Sequence, residues 1–201
     1  VTAPLILAFD TAAAHCAAAL LHGQEILGTA QEPMAKGQAE RLLALVQDIL
    51  AQSGTRMDQL VAIGVGVGPG NFTGIRISVS AARGMALGLG IPAIGVNAFD
   101  ALQLGADTPC LCTVDARREM VFVQGFGVPR FETPQLCALD KLPTGVRVIG
   151  ANGETPVHPV AEAIARVAAT RLSEPQPKPA PLYLRPADAA PARDTPPRIV
   201  P

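Results

Sequence analysis

The period of the apolar positions changes several times along the chain, and each change marks an element. "LILAFD" (5–10) is an unbroken apolar run ending in Asp and reads as a strand. "CAAALLHG" and "QEILGTAQE" follow, with His22-Gly23 as the turn of a hairpin. From Gln38 to Gln52 the period lengthens. Leu42, Leu43, Val46, Ile49 and Leu50 fall at i, i+1, i+4, i+7 and i+8, an amphipathic helix closed by Ser53-Gly54. "LVAIGVGVG" (60–68) predicts a buried strand broken at Pro69-Gly70. A second helix is predicted from Thr73 to Leu89, then a strand over 93–98 and a short helix over 99–104.

Near residue 110 the order begins again. "CLCTVDAR" is a strand ending in Asp115, and "EMVFVQGF" is its hairpin partner. "VRVIGANG" (146–153) mirrors "VGVGPG" (65–70), again ahead of a helix, here 157–172. Asp10 to Gly70 spans 60 positions and Asp115 to Gly153 only 38, so the second copy is abridged. The organisation predicted is an α/β chain of two βββα-type lobes, 1–105 and 106–172. A tail, 173–201, holds nine of the 19 prolines and cannot form helix or central strand. Within it "PLYLR" (181–185), with the only Tyr, is expected to dock in passing on the body.

Composition narrows the picture. Of 201 residues 49% are apolar and 16% charged, with no Trp, one Tyr and six Phe, so the core must be built from Ala, Val, Leu and Ile. The net charge of -1 lacks the basic excess of a protein that grips nucleic acid unaided. Any tRNA contact would come through a partner. Cys16, Cys110, Cys112 and Cys137 show no paired CxxC pattern and read as reduced, mostly buried thiols of a cytoplasmic protein. The N-terminal stretch has no basic leader, and no apolar run is long enough to span a membrane. His15, His22 and His158 are scattered without a partner His at i+4, which argues against a metallopeptidase and leaves no metal site in view.

"GPGNFTGIR" (68–76) fails both common phosphate-loop templates: neither G-x-G-x-x-G nor a Gly-Lys-Ser/Thr ending is present. What remains is a sharp turn, Gly68-Pro69-Gly70, into a helix that Asn71 or Thr73 can cap. Its first N–H groups could hold an anion, a nucleotide phosphate or an acyl-phosphate, or the turn could simply be well capped. Both readings stand on the residues alone. In the helix itself Phe72, Ile75, Val79, Ala82, Ala86 and Leu89 form one stripe for the sheet. Ile77, Ser80, Ala81, Gly84, Leu87 and Gly88 form an opposite, uncharged face, with Arg76 and Arg83 on one flank. That face would meet either the second lobe or, as favoured here, a partner protein.

With these residues assembled, the chain resembles the TsaB (YeaZ) family. "ILAFDTA" is similar to its opening strand, "GVGVGPGNFTGIRISVSAARGMALGLGIPAIGVNAFDAL" to its signature, and "DARREMVF" and "PLYLR" to weaker family patches. The resemblance implies an actin-like (sugar kinase, Hsp70) fold of duplicated lobes. It implies a non-catalytic, dimerising and activating subunit of the complex that transfers threonylcarbamoyl to a tRNA adenosine. The transfer site and its metal lie in a TsaD-type partner, a TsaE-type protein is the ATPase, and the subunit alone pairs with itself. No cofactor is intrinsic; ATP or ADP and a divalent metal belong to the partner or the complex interface. Residues carried over by the match are Asp10, Thr11, Gly68 to Gly74, Arg76, Asp115 and Arg117. The anion or nucleotide set is Asp10, Thr11, Gly68, Gly70, Asn71, Thr73 and Asp115, and the partner face, read from the uncharged side of the second helix, is Arg76, Ile77, Ser80, Ala81, Gly84, Leu87 and Gly88. Three positions depart from the family pattern: Gln38 replaces a His, and Met120 and Phe122 replace Glu and Tyr. The lost Glu tells against independent nucleotide or metal chemistry. The rival functions are a small-molecule kinase using Asp10 and Asp115 toward a phosphate and its Mg²⁺, and a purely self-associating scaffold.

Overall fold

A computed structural model describes residues 3–184. Arg185 of "PLYLR" and the rest of the Pro-rich tail lie outside the described residues.

The first sheet contains β1 (Leu5–Asp10), β2 (His15–His22), β3 (Glu25–Pro33), β4 (Ala62–Gly66) and β5 (Ala93–Val96) in the order β3-β2-β1-β4-β5. β1 runs antiparallel to β2 and parallel to β4. Its alternation explains why it reads as an unbroken apolar run. Leu7 and Phe9 face one core with α1 (Gln38–Gln52) and α2 (Phe72–Leu89), whereas Ile6 and Ala8 face another. A strand covered on both faces has no polar side.

The second sheet contains β6 (Cys110–Asp115), β7 (Met120–Phe126), β8 (Gln135–Ala138) and β9 (Arg147–Gly150), in the order β8-β7-β6-β9. β6 is antiparallel to β7 and parallel to β9, repeating the β1 pattern. The sequence reading lacked β8, a four-residue half-buried strand too short to show an alternation. In place of α1 this copy has only a 3₁₀ turn, Leu139–Lys141, which accounts for much of the shortened spacing.

Two helices bridge the lobes. α3 (Ala98–Gln103), capped by the Asn97 side chain, sets Phe99 against Cys110, Cys112, Phe122 and Ile149 of the second sheet. α4 (Val160–Thr170), from the 106–172 segment, places Ala163, Ile164, Val167 and Ala168 against the first sheet, filling the second core beneath Ile6, Ala8 and Ile94. It begins three residues later than the predicted 157 because Pro159 stands at its N-cap and restricts His158 to extended backbone. In α1, Leu45 is buried while Leu43 is 52% exposed, so the core stripe is rotated from the predicted one. No helix among the described residues is long and apolar enough to cross a membrane.

Candidate functional site

The loop after β4 is a clasp. Gly68 (φ 87°) and Pro69 turn the chain, and the Asn71 side chain accepts the Gly74 N–H at 2.8 Å as the cap of α2. Asn71 also donates its own N–H to the Ala12 carbonyl at 2.6 Å, and the buried Thr11 hydroxyl donates to the Gly74 carbonyl at 2.7 Å. The turn between β1 and β2 therefore lies directly on the first turn of α2. Gly70 and Gly74 permit this approach: a Cβ at Gly74 would overlap the Thr11 carbonyl oxygen, and one at Gly70 that of Ala12. Gly70 and Gly74 of "GPGNFTG" serve packing between two backbones, and the cap is Asn71, not Thr73.

Between the lobes lies a cavity of about 240 Å³ walled in part by Asp10, His15, Gly68, Thr113, Asp115 and His158. Asp10 is buried; its Oδ2 accepts the Ala12 N–H at 2.9 Å and stands 2.7 Å from His15 Nε2. Asp115 makes the matching turn, with Oδ1 accepting the Arg117 N–H at 2.9 Å. The Thr113 hydroxyl donates to the Ala151 carbonyl at 2.5 Å, and His158 Nδ1 lies 3.1 Å from Glu162. These polar groups thus have partners of their own. Gly70, Asn71 and Thr73 line a different space, a broad groove of about 1190 Å³ along the starts of α1 and α2, which Asp115 and Arg117 also reach. Thr11 lines neither. The predicted anion set is thus divided between two places, with Asp115 common to both. The interlobe cavity is smaller than the roughly 300 Å³ at which pockets for drug-sized ligands begin, whereas the groove is well above it.

The outer face of α2 is open. Arg76, Ser80, Gly84, Leu87 and Gly88 are exposed, with Ile77 and Ala81 half-buried, and nothing lies within 4 Å of where a Cβ on Gly84 or Gly88 would stand. Leu87 is 85% exposed. The described part of the second lobe does not cover this face. The inner stripe holds for Ile75, Val79, Ala82 and Ala86 but not for Phe72, which is 40% exposed. Phe72 sits on the first turn and stacks on Tyr183. Of the six exposed large apolar residues among those described, Leu43, Phe72 and Leu87 lie on α1 and α2, and Tyr183 lies against Phe72.

The thiols are structural. Cys16, Cys110 and Cys112 are buried, and burial pushes the Cys16 thiol up to about 11, with Glu32 and Asp10 adding to the effect. Burial raises Cys112 and Cys110 as well.

The family model for TsaD, tRNA N6-adenosine threonylcarbamoyltransferase, matches residues 22–133, more than half of the chain. The chain belongs to this family. Within it, the chain is similar to proteins named TsaB and to YeaZ structures. It is 38% identical over 122 residues to the tRNA threonylcarbamoyladenosine biosynthesis protein TsaB of Escherichia coli (strain K12), covering 58% of this chain and 52% of that protein. The chain spans about half the length of the curated relatives it matches. Among solved structures, YeaZ from Pseudomonas aeruginosa superposes with a TM-score of 0.72 at 24% identity, covering 90% of this chain and 100% of that one. A second Pseudomonas aeruginosa structure, an uncharacterized protein similar to peptidase YeaZ, gives 0.75 at 22% identity, with coverage of 90% and 100%. The fold is thus that of the YeaZ structures, the actin-like α/β fold that the family resemblance implied, and its two sheets match the duplication read from the repeat. Two of the family departures lie on the second sheet: Phe122 is buried and Met120 half-buried, both packed in the cluster around Phe99. Gln38 donates from Nε2 to the Met34 carbonyl at 3.0 Å, holding the entry to α1.

Sequence reasoning missed two partnerships. His15 was noted only as an isolated histidine, yet its place five positions after Asp10, across a short turn, was the signal that it could reach Asp10. Tyr183 was expected to dock somewhere; its place on Phe72 required the tertiary fold.

Proposed function

We propose that this chain is the non-catalytic, dimerising and activating subunit of the tRNA threonylcarbamoyladenosine transferase complex, pairing through the outer face of α2 with a TsaD-type partner. The observation that carries this reading is the bare α2 face, which contains no acidic residue and a smooth row at Ser80, Gly84 and Gly88. Such a row lets a second helix approach closely, and its exposed Leu87 favours cover by protein. Burial of Asp10 in its own turn, the small interlobe cavity and the clasped signature loop support a chain without its own catalytic centre. ATP or ADP and a divalent metal are then the business of the partner, of the interface and of a TsaE-type ATPase. tRNA would be held through the complex, consistent with a net charge of -1, and the setting would be cytoplasmic. Without its partner, the same face would support a homodimer.

The test is Gly84→Arg, which places a long charged side chain in the smooth row without disturbing the core. Size-exclusion chromatography with the purified TsaD-type partner should show the complex lost, and depletion of the protein in its own cell should lower threonylcarbamoyl-adenosine in tRNA by mass spectrometry. Undiminished association, or unchanged nucleoside, would defeat the reading.

A further inference from the structure

A stack of three side chains stands at the first turn of α2. The Phe72 and Tyr183 ring centroids are 4.9 Å apart with planes 30° apart, and the Arg76 guanidinium carbon lies 3.8 Å from the Phe72 centroid. Arg76 Nε–H donates to the Tyr183 hydroxyl at 3.0 Å, across 107 positions of sequence. The segment carrying Tyr183 is held on both sides. Leu182 donates its N–H to the Val67 carbonyl at 2.8 Å and packs on the first-lobe core, and Leu184 packs into the cluster around Phe99. Despite this anchoring, Phe72 remains 40% and Tyr183 43% exposed. Half-exposed aromatics beside an arginine are the composition of an interface anchor.

Arg76 makes no ion pair among the described residues, and only its Nε is engaged there. A guanidinium fixed through one nitrogen and one face presents its two Nη groups together, the geometry that takes a carboxylate. Arg76 also heads the i+4 row of Ser80, Gly84 and Gly88. The only charged residues of α2 are Arg76 and Arg83, both exposed. Pairing two copies of this helix would bring like charges together, whereas a helix with an acidic side chain at this end would meet its complement.

We propose that Tyr183 is a positioning residue of the docking surface: it holds Arg76 for a carboxylate on a helix of the TsaD-type partner, and so favours that partner over a second copy. The inference rests on the docking reading above. Its test is the dissociation constant for the purified TsaD-type partner at low and high salt, with Tyr183→Ala, Tyr183→Phe and Arg76→Gln. Arg76→Gln and Tyr183→Ala should each weaken binding about tenfold and flatten its salt dependence to the same degree. Tyr183→Phe, which keeps the stack and loses the hydroxyl, should fall between them and the parent, and self-association should not weaken in Arg76→Gln. Parental affinity in Tyr183→Ala, or weakened affinity with the parental salt dependence, overturns the proposal. Binding abolished by Gly84→Arg but indifferent to Tyr183→Ala overturns this inference alone; binding indifferent to Gly84→Arg overturns the docking reading and this inference with it.

Discussion

The two sheets share one plan and are completed in different ways. β1 and β6 each lie between an antiparallel and a parallel neighbour, and each ends in an Asp whose carboxylate takes a backbone N–H two residues on. The first sheet is then covered on one face by α1 and α2 and on the other by α4. The second has the short α3 on one face, while the other is covered by loop residues Val128, Phe131, Leu139 and Leu142 packed on Leu111, Val121 and Val123. A long helix that covers a sheet has a far side, which must face solvent or a partner; a loop that drops side chains into a sheet leaves much less of one. The difference teaches why the open helix face, and with it the proposed docking surface, falls on the first lobe.

The comparison breaks most severely at the clasp. Gly74→Ala would drive a methyl group into the Thr11 carbonyl, backbone against backbone, and should destabilise by roughly 4 kcal/mol or more in urea unfolding. Gly150 stands against the Thr113 carbonyl in the second lobe with φ 100°, so Gly150→Ala should do comparable damage there. If either change is mild, the two turns are not equivalent.

Phe131→Ala tests the loop cover. It removes the largest side chain of that cluster and should cost about 3 kcal/mol. Hydrogen exchange should quicken in β6 to β9 while β1 to β4 keep their protection. Uniform loss across both sheets would show that the lobes open together.

The smallest effect expected is alkaline. Cys16 keeps its proton up to about 11 in the folded chain against an ordinary 9.0, because burial disfavours the thiolate. The folded state therefore holds this proton more tightly than the unfolded chain. Its contribution is complete below about pH 9 and is lost as the pH rises toward 11, roughly 2–3 kcal/mol in all. Unfolding measured across that window should flatten in Cys16→Ala, and what remains would belong to the buried Cys110 and Cys112 of the second lobe.

Much of this was legible beforehand because the signals were local. The His22-Gly23 turn between two runs gave the hairpin of β2 and β3, the shift to a helical period gave α1 and α2, and the return of strand-Asp-turn at 115 gave the duplication. The surroundings of the anion set were not legible. Asp10, Gly70 and Thr11 have the residue types of a ligand loop, but what they contact depends on the β1–β2 turn meeting the start of α2. Phe72 fitted the sheet stripe by spacing alone, since a periodicity does not show that a residue from 111 positions away will stack on it. α4 carried its own apolar face plainly, with nothing in its letters to say which sheet it would cover.

The chain by itself determined its elements, its repeat and its family, because strands, helices, caps and a long signature are written in neighbouring residues. Only the tertiary structure decided that the signature glycines join two backbones, that α4 returns to the first sheet, and that Tyr183 comes to rest beside Arg76. Each of these joins residues separated by tens of positions, and such contacts are set by which surfaces remain to be covered once the local elements have formed.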